Sequence, residues 1–337
     1  MSKLKCAIIG CGRISYKHVE AIAHNDEITE LVAVCDVVEE KAEDKKDETK
    51  TEDKKDEAKT EDKKDEAKTE DKKDEVKAET KKAQYLEKFP NRDVKVYTDY
   101  KKMLDEMDID YVAISTESGY HGDIAINSMN RGAHVLIEKP MAMTLEEIDA
   151  INELHEKTGL KVGVCHQNRF NPPIQKLRKA VDEGKFDKII NGTARILWIR
   201  DQNYYDQAPW RGTKALDGGT LMSQCIHNID LLLWMMGSEV VSVKAETGTF
   251  LRNIEMEDFG AILLRFKNGS IGIIEGSACV YPKNLEETLS IFGETGTAVI
   301  GGLAVNEIET WNFEDPSEKI EEPVKAEIQN VYGDGHT

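Results

Sequence analysis

Short apolar runs punctuate the first half of the chain, at residues 4–9, 31–35, 94–97, 111–115, 134–137 and 161–165. Each is of strand length. Between them lie stretches of helical periodicity: residues 16–22, 99–107 and 122–131, the last ended by Gly132. A further helix is expected after Thr144, with Glu147 three residues on as a capping box. Strand and helix in alternation predict an α/β fold, a doubly wound parallel sheet. Ligands of such sheets sit beyond the carboxyl ends of the strands. Ser15, Asp36, Thr116, His121 and Lys139 all fall there.

From about residue 166 the pattern changes. A helix is expected over 171–181, a strand over 189–199, and a polar, aromatic loop over 201–217. Gly218-Gly219-Thr220 leads into a helix over 221–236 that ends at Gly237. Strand-like runs follow at 240–249, 259–266, 270–278 and 288–292. Lys267-Asn268-Gly269 reads as a hairpin turn, and 297–300 with 307–311 as another hairpin. This half is expected to be an α+β domain with an open, mainly antiparallel sheet and helices on one face. The expected boundaries are 1–166 and 167–337.

The first strand carries the most informative chemistry. It runs straight into Gly10-Cys11-Gly12, then Arg13-Ile14-Ser15, then a helix. That order is a dinucleotide site: Gly10 for a tight turn, Gly12 for close approach of a pyrophosphate, and the helix N-terminus for its charge. Ser15 stands in the place of the third glycine and is small enough for helix and strand to pack. The second strand ends in Asp36, about 20 residues on, where a ribose-binding acid belongs. A carboxylate there accepts from ribose hydroxyls and repels a 2′-phosphate, so NAD is expected rather than NADP.

One segment fits neither half. Residues 42–77 are four copies of a nine-residue unit, first Ala-Glu-Asp-Lys-Lys-Asp-Glu-Thr-Lys and later Thr-Glu-Asp-Lys-Lys-Asp-Glu-Ala-Lys, with Val76 in the last. Nine residues make two and a half helical turns, so no stripe stays on one face. The segment is expected to be a charged, solvated insertion, helical or disordered, in the helix after the second strand.

Composition narrows the partners. The chain has 337 residues and 39% hydrophobic content, enough for two cored domains. A formal charge of −19 argues against nucleic acid or an anionic membrane as the main partner. No run reaches transmembrane length, and the first apolar segment is the cofactor strand, so no signal peptide is read. Cysteines 6, 11, 35, 165, 225 and 279 make no Cys-x-x-Cys pair and no zinc spacing. Reduced thiols, a cytoplasmic location and no metal are expected.

Taken together, Gly10-Cys11-Gly12-Arg13-Ile14, the turn 116–121, Glu138-Lys139-Pro140 and the helix with His227-Asn228-Ile229-Asp230 resemble the glucose–fructose oxidoreductase/inositol dehydrogenase (Gfo/Idh/MocA) family. The resemblance spans nearly the whole chain outside the repeat. Asn168-Arg169-Phe170-Asn171-Pro172 and the stretch from Trp210-Arg211-Gly212 to Gly218-Gly219 resemble its branch that oxidises UDP-N-acetylglucosamine, or its uronic acid, at the 3-hydroxyl. Two positions depart from the family: Glu117 replaces a proline, and Ser223 replaces a carboxylate or amide. The chain also stops where relatives continue through a further helix, so a C-terminal truncation is expected.

The resemblance implies a nicotinamide-dependent oxidation of a sugar alcohol by a homo-oligomer, dimer or tetramer. Such a reaction needs a base, a charge to stabilise the developing alkoxide, and a closely held acceptor. His227 is the expected base, since an imidazole titrates near neutrality; on helix pattern alone it is equally a core histidine. Lys139 is the expected alkoxide-stabilising cation, set against a surface lysine leaving a strand. Asp230 is expected to orient. The resemblance gives Glu138 to the nicotinamide ribose, Thr116, His121, Trp210 and Arg211 to the cofactor, and Asn168 and Arg169 with His227 to the substrate. For Arg169 an ion pair is the other reading. No role is expected for His18, His24, His155 or His166. Two other functions stay open: a dehydrogenase of a free polyol or monosaccharide, and a non-catalytic, NAD-loaded sensor.

Overall fold

The computed structural model describes residues 2–36 and 78–315. The charged repeat over 42–77 and the expected C-terminal truncation lie outside the described residues. Two compact units are present. One holds the chain through Thr116 with His121–Glu138 and Glu146–Gly163; the other holds Glu117–Tyr120, Lys139–Leu145 and the chain from Val164 on.

The first unit runs β1 (Leu4–Ile9), α1 (Ser15–His24), β2 (Thr29–Cys35), α2 (residues 78–86), β3 (Lys95–Tyr97), α3 (Tyr100–Glu106), β4 (Tyr111–Ile114), α4 (His121–Asn130), β5 (His134–Ile137), α5 (Leu145–Thr158) and β6 (Val162–Val164). The sheet order is β3-β2-β1-β4-β5-β6. β1 pairs parallel with both β2 and β4, so the chain moves out one way and returns to the other side of β1. That reversal is the switch point where such sheets bind ligands. Cys6, Ile8, Val19, Ile22, Leu31, Val34 and Tyr85 form the core between β1, β2 and the helices α1 and α2. Asp99 caps α3 by accepting from the Lys101 and Lys102 N–H groups.

The second unit begins with a tight turn, Gln167–Phe170. It continues through α6 (Pro172–Asp182), β7 (Ile189–Leu197), α7 (Gln202–Asp206), α8 (Gly219–Ser223), α9 (Ile226–Met236), β8 (Val240–Gly248), β9 (Phe259–Phe266), β10 (Ile271–Ser277), β11 (Glu286–Gly293), β12 (Gly296–Gly301) and β13 (Glu307–Phe313). Its sheet order is β13-β12-β11-β7-β10-β9-β8. β7 pairs parallel with β10 and antiparallel with β11. Both expected hairpins, β9–β10 and β12–β13, are antiparallel pairs. α6 and α9 bury Ile174, Leu177, Leu231, Leu232, Met235 and Met236 against Ala194, Ile274, Leu289, Ile291 and Ile300 of the sheet.

Two local expectations are corrected. The loop 201–217 contains α7, whose N-cap Asp201 accepts from the Tyr204 N–H. The single helix expected over 221–236 is two helices broken at Gln224-Cys225. There the Gln224 and Cys225 N–H groups both bond the Thr220 carbonyl, which widens the turn. Cys225 is fully buried, and a Cβ on Gly276 of β10 would come within 2.6 Å of its sulfur. The bare backbone of Gly276 is what lets the chain sink onto the sheet at that break.

Candidate active site

In the first unit the residues expected at the cofactor come together at the carboxyl ends of β1, β2 and β4. Gly10 has φ +91°, and a Cβ there would lie 2.5 Å from the backbone of Ser115 and Thr116. Only glycine satisfies both conditions. Its N–H bonds the Cys35 carbonyl at 2.8 Å, and Ser115 Oγ donates to its carbonyl at 2.6 Å. Ser15 Oγ donates to the Gly12 carbonyl at 2.8 Å and tightens the entry into α1. Asp36 is buried at the end of β2 and accepts from the Cys11 N–H. Arg13 is exposed, Ile14 half-buried at the N-cap of α1. His121 Nε2 lies 3.1 Å from the Thr116 carbonyl. Glu138 ends β5, its N–H on the Ile114 carbonyl, its buried carboxylate 2.9 Å from His18 Nε2.

This arrangement suits a dinucleotide. A Cβ built on Gly12 meets nothing within 4 Å, so the exposed backbone there has room for a phosphate against the α1 N-terminus. An acid stands at the end of the neighbouring strand. Gly10, Gly12, Arg13, Ile14, Asp36, Thr116, His121 and Glu138 thus belong to one rim, with His18 as a member the sequence reading left without a role. Its signal was position: His18 precedes Val19 on the buried face of α1, where a histidine needs a partner.

The second unit assembles the expected chemistry around α9. Asn228, Leu231, Leu232, Met235 and Met236 form its buried stripe at helical spacing. His227, Asp230 and Trp234 form the adjoining face. The chain just after β6 lies along that face. Gln167 Nε2 is 3.3 Å from His227 Nε2. The His166 ring meets the His227 ring edge-on at 5.6 Å, and its Nδ1 is 3.7 Å from Asp230. Arg169 grips Asp230 with Nε and Nη2 at 2.7 and 2.5 Å and stacks 4.8 Å over Trp234. The hydrogen bond to Asp230 raises the Arg169 pKa.

Lys139 Nζ donates to the Ser223 carbonyl at 2.6 Å. In an unbroken helix that carbonyl would face the His227 N–H four residues on. The break between α8 and α9 turns it to the ammonium instead, so cation and imidazole share one short stretch of backbone. Ser223, where the family carries an acid or amide, donates its hydroxyl to the Gly219 carbonyl and accepts from the Gln224 side-chain amide.

The loop from Trp210 to Asp217 is held by Asp217, which accepts from the Gly212 N–H at 2.7 Å. Burial pushes the Asp217 pKa up; that N–H, Lys139 and Arg211 pull it back, and Glu257 adds to the rise. Arg211 lies 4.2 Å over Tyr204 and 5.5 Å over Trp210, and donates to the Tyr204 carbonyl at 2.6 Å.

Asn168 and Arg169, expected on a substrate, engage protein acceptors here: Arg169 takes Asp230, and Asn168 Nδ2 donates to Glu287 Oε1 at 3.3 Å. Glu287, on β11, is buried, and burial raises its pKa to about 8. His166, Gln167 and Glu287 were missed in the sequence. Glu287 alone left a trace, an acid in phase with Leu289 and Ile291 on a strand's inward face. All six cysteines are free thiols, and burial raises the pKa of Cys225 far above the ordinary thiol range. Among the described residues, no helix is long and apolar enough to cross a membrane.

Comparison with known proteins bears on the family, the fold and the cofactor. Residues 4–78 and 74–166 match the family model described as oxidoreductase family, NAD-binding Rossmann fold. Residues 174–299 match the GFO/IDH/MocA C-terminal domain. The crystal structure of the WlbA dehydrogenase from Bordetella pertussis, in complex with NADH and UDP-GlcNAcA, is 33% identical; the match covers 94% of this chain and 83% of that one, with a TM-score of 0.75. Scyllo-inositol 2-dehydrogenase (NAD(+)) of Bacillus subtilis is 25% identical over 89% of this chain and 75% of its own length. Myo-inositol 2-dehydrogenase of Thermotoga maritima is 26% identical over 60% of this chain and 59% of its own. A glycine turn that only glycine can make, an acid at the next strand end and two family models across both units lead to one conclusion: the chain belongs to the Gfo/Idh/MocA oxidoreductases and carries their NAD-binding Rossmann domain.

Proposed function

We propose that the protein oxidises the 3-hydroxyl of a UDP-linked N-acetylamino sugar, UDP-N-acetylglucosamine or its uronic acid, to the 3-keto sugar with NAD. The observation that carries the dehydrogenase reading is the placement of Lys139 on the Ser223 carbonyl, four residues before His227. It supports an ammonium and an imidazole working on one alcohol. The choice of sugar rests on the likeness to the dehydrogenase bound to UDP-GlcNAcA, which extends over 94% of this chain. Bound NAD supplies a hydride acceptor. Gly10, Gly12, Arg13, Ile14, Asp36, Thr116, His121 and Glu138 hold it in the first unit; Trp210, Arg211 and Lys139 are assigned to it on the family resemblance alone.

His227 takes the hydroxyl proton on a ring nitrogen. Lys139 donates a hydrogen bond to the oxygen as it gains negative charge, which lowers the hydroxyl pKa. Asp230, fixed by Arg169, keeps the face of α9 that carries His227 in order. Asn168 and Arg169 remain on the substrate side of this reading, while their observed bonds make them its wall.

The names of the inositol dehydrogenases among the relatives favour a second reading, a free polyol as substrate. A panel of sugars and sugar nucleotides separates the two. NADH is expected to appear with a UDP-N-acetylamino sugar and not with inositols; turnover of inositols alone would replace the first reading with the second. Lys139→Ala is expected to lower kcat about 10²–10³-fold, the usual cost of removing one group aimed at a developing oxyanion. Its NAD affinity should stay within a few fold. Steady-state kinetics with isothermal titration of NAD checks both, and an unimpaired kcat would remove Lys139 from the mechanism.

A further inference from the structure

Gln167 stands apart from its neighbours after β6. Asn168, Arg169 and Asn171 all bond protein acceptors: Glu287, Asp230 and the Ala304 carbonyl. Gln167 instead puts its amide nitrogen 3.3 Å from the Nε2 of His227. Its side chain is buried, 8% exposed, and its carbonyl oxygen Oε1 has no hydrogen-bond partner among the described residues. A buried amide oxygen left without a donor is costly, by about the desolvation penalty of a polar group. It is tolerated where the group has work in another state.

The protonation chemistry of imidazole names that state. Neutral His227 has one N–H and one lone pair; if Nε2 accepts from Gln167, Nδ1 carries the N–H and the only basic nitrogen is the one Gln167 covers. Protonated, the ring carries N–H on both nitrogens and accepts from neither. An amide N–H aimed at Nε2 would then face a second donor. A half-turn of the amide about its last torsion, which is broad and two-fold, brings Oε1 to the same place. We infer that Gln167 is a positioning residue for His227: with Oε1 turned to Nε2–H it holds the tautomer whose Nδ1 takes the substrate proton, and it goes on accepting from Nε2–H once the ring is charged. The inference rests on the proposed role of His227 as base.

The charges around the ring leave that task to an uncharged acceptor. Asp230 and His166 lie on the same side of α9, and the Asp230 charge is already engaged by Arg169. Lys139, on the Ser223 carbonyl, opposes a second positive charge nearby. From β11, Glu287 faces Asn168. Arg195 pairs with both Glu275 and Glu286, and all three alternate in register with Glu287 and Ile196, so they turn to the other side of the sheet. From the break between α8 and α9 the chain offers Cys225, a buried thiol that burial keeps protonated.

The test follows the His227 ring through pH by NMR in histidine-labelled full-length protein, with His227→Ala assigning its signal among the eight histidines. Gln167→Met, of similar length with no strong acceptor, is expected to lower the His227 titration midpoint. Gln167→Glu is expected to raise it by about one unit or more, as an adjacent carboxylate does. The acid limb of kcat/KM should move in the same two directions. A purely structural Gln167 would lower Tm in both variants without splitting the midpoints. Midpoints unchanged, or shifted the same way, overturn the inference; if Gln167→Met does not fold, absence of an upward shift in Gln167→Glu does so alone. Opposite shifts with a fully active His227→Ala support the amide coupling and overturn the catalytic reading instead.

Discussion

His227→Ala is expected to lose about two to four orders of magnitude in kcat while still binding NAD. General base catalysis by a positioned side chain contributes about 10²–10⁴-fold, and alanine has no group to take a proton. The structure gives reasons to expect the loss to be local. His227 lies off the buried stripe of Asn228, Leu231, Leu232, Met235 and Met236, so its removal opens no hole in that core. The Arg169–Asp230 pair on the same helix face stays intact. The dinucleotide rim lies in the first unit and has its own bonds. Stopped-flow NADH formation beside titrated NAD affinity makes the comparison, and the pH profile of the variant should lose its acid limb. A variant with wild-type kcat would leave His227 as one more histidine packed against a sheet.

The second large effect is on stability. Glu287→Gln is expected to stabilise the protein near neutral pH and to do little near pH 5. In the unfolded chain Glu287 ionises around its ordinary value of 4.5; in the fold, burial raises the pKa to about 8. Between those values the folded state holds a proton that the unfolded state has released. Stability from this group is therefore complete below the unfolded pKa and drains away as pH rises through the folded one. The slope is about 1.4 kcal/mol for each pH unit inside the window. Glutamine keeps an acceptor for the Asn168 amide and cannot ionise. Denaturant unfolding of both proteins across pH 5–8.5 should give curves that diverge upward in pH; parallel curves would mean that Glu287 ionises freely in the fold.

Much of the cofactor unit was legible because its information is local. Gly10, Gly12 and Asp36 act through backbone reach and strand ends, which spacing encodes directly. The hairpin at Lys267-Asn268-Gly269 was legible for the same reason, Gly269 taking φ +90° in the turn. The break at Gln224-Cys225 was not, because its cause is a glycine on β10 about fifty residues later. Nor were His166 and Gln167. Neither has a periodic pattern, and their meaning comes only from α9 lying alongside. The α7 turn hid in a polar loop because one capping aspartate and a few aromatic residues do not form a stripe.

The place of β7 at the middle of the second sheet also bears on how the chain comes off the ribosome. Asn191 must wait for Ile271 on one side and for Phe292 on the other. Until both arrive, a nine-residue strand has two open hydrogen-bonding edges and no local hairpin to cover them. Closure by such distant partners is slow, and partly made chains of this sort associate with one another. Helper proteins that shield nascent strands should therefore matter more for this half of the molecule than for the half that binds the dinucleotide.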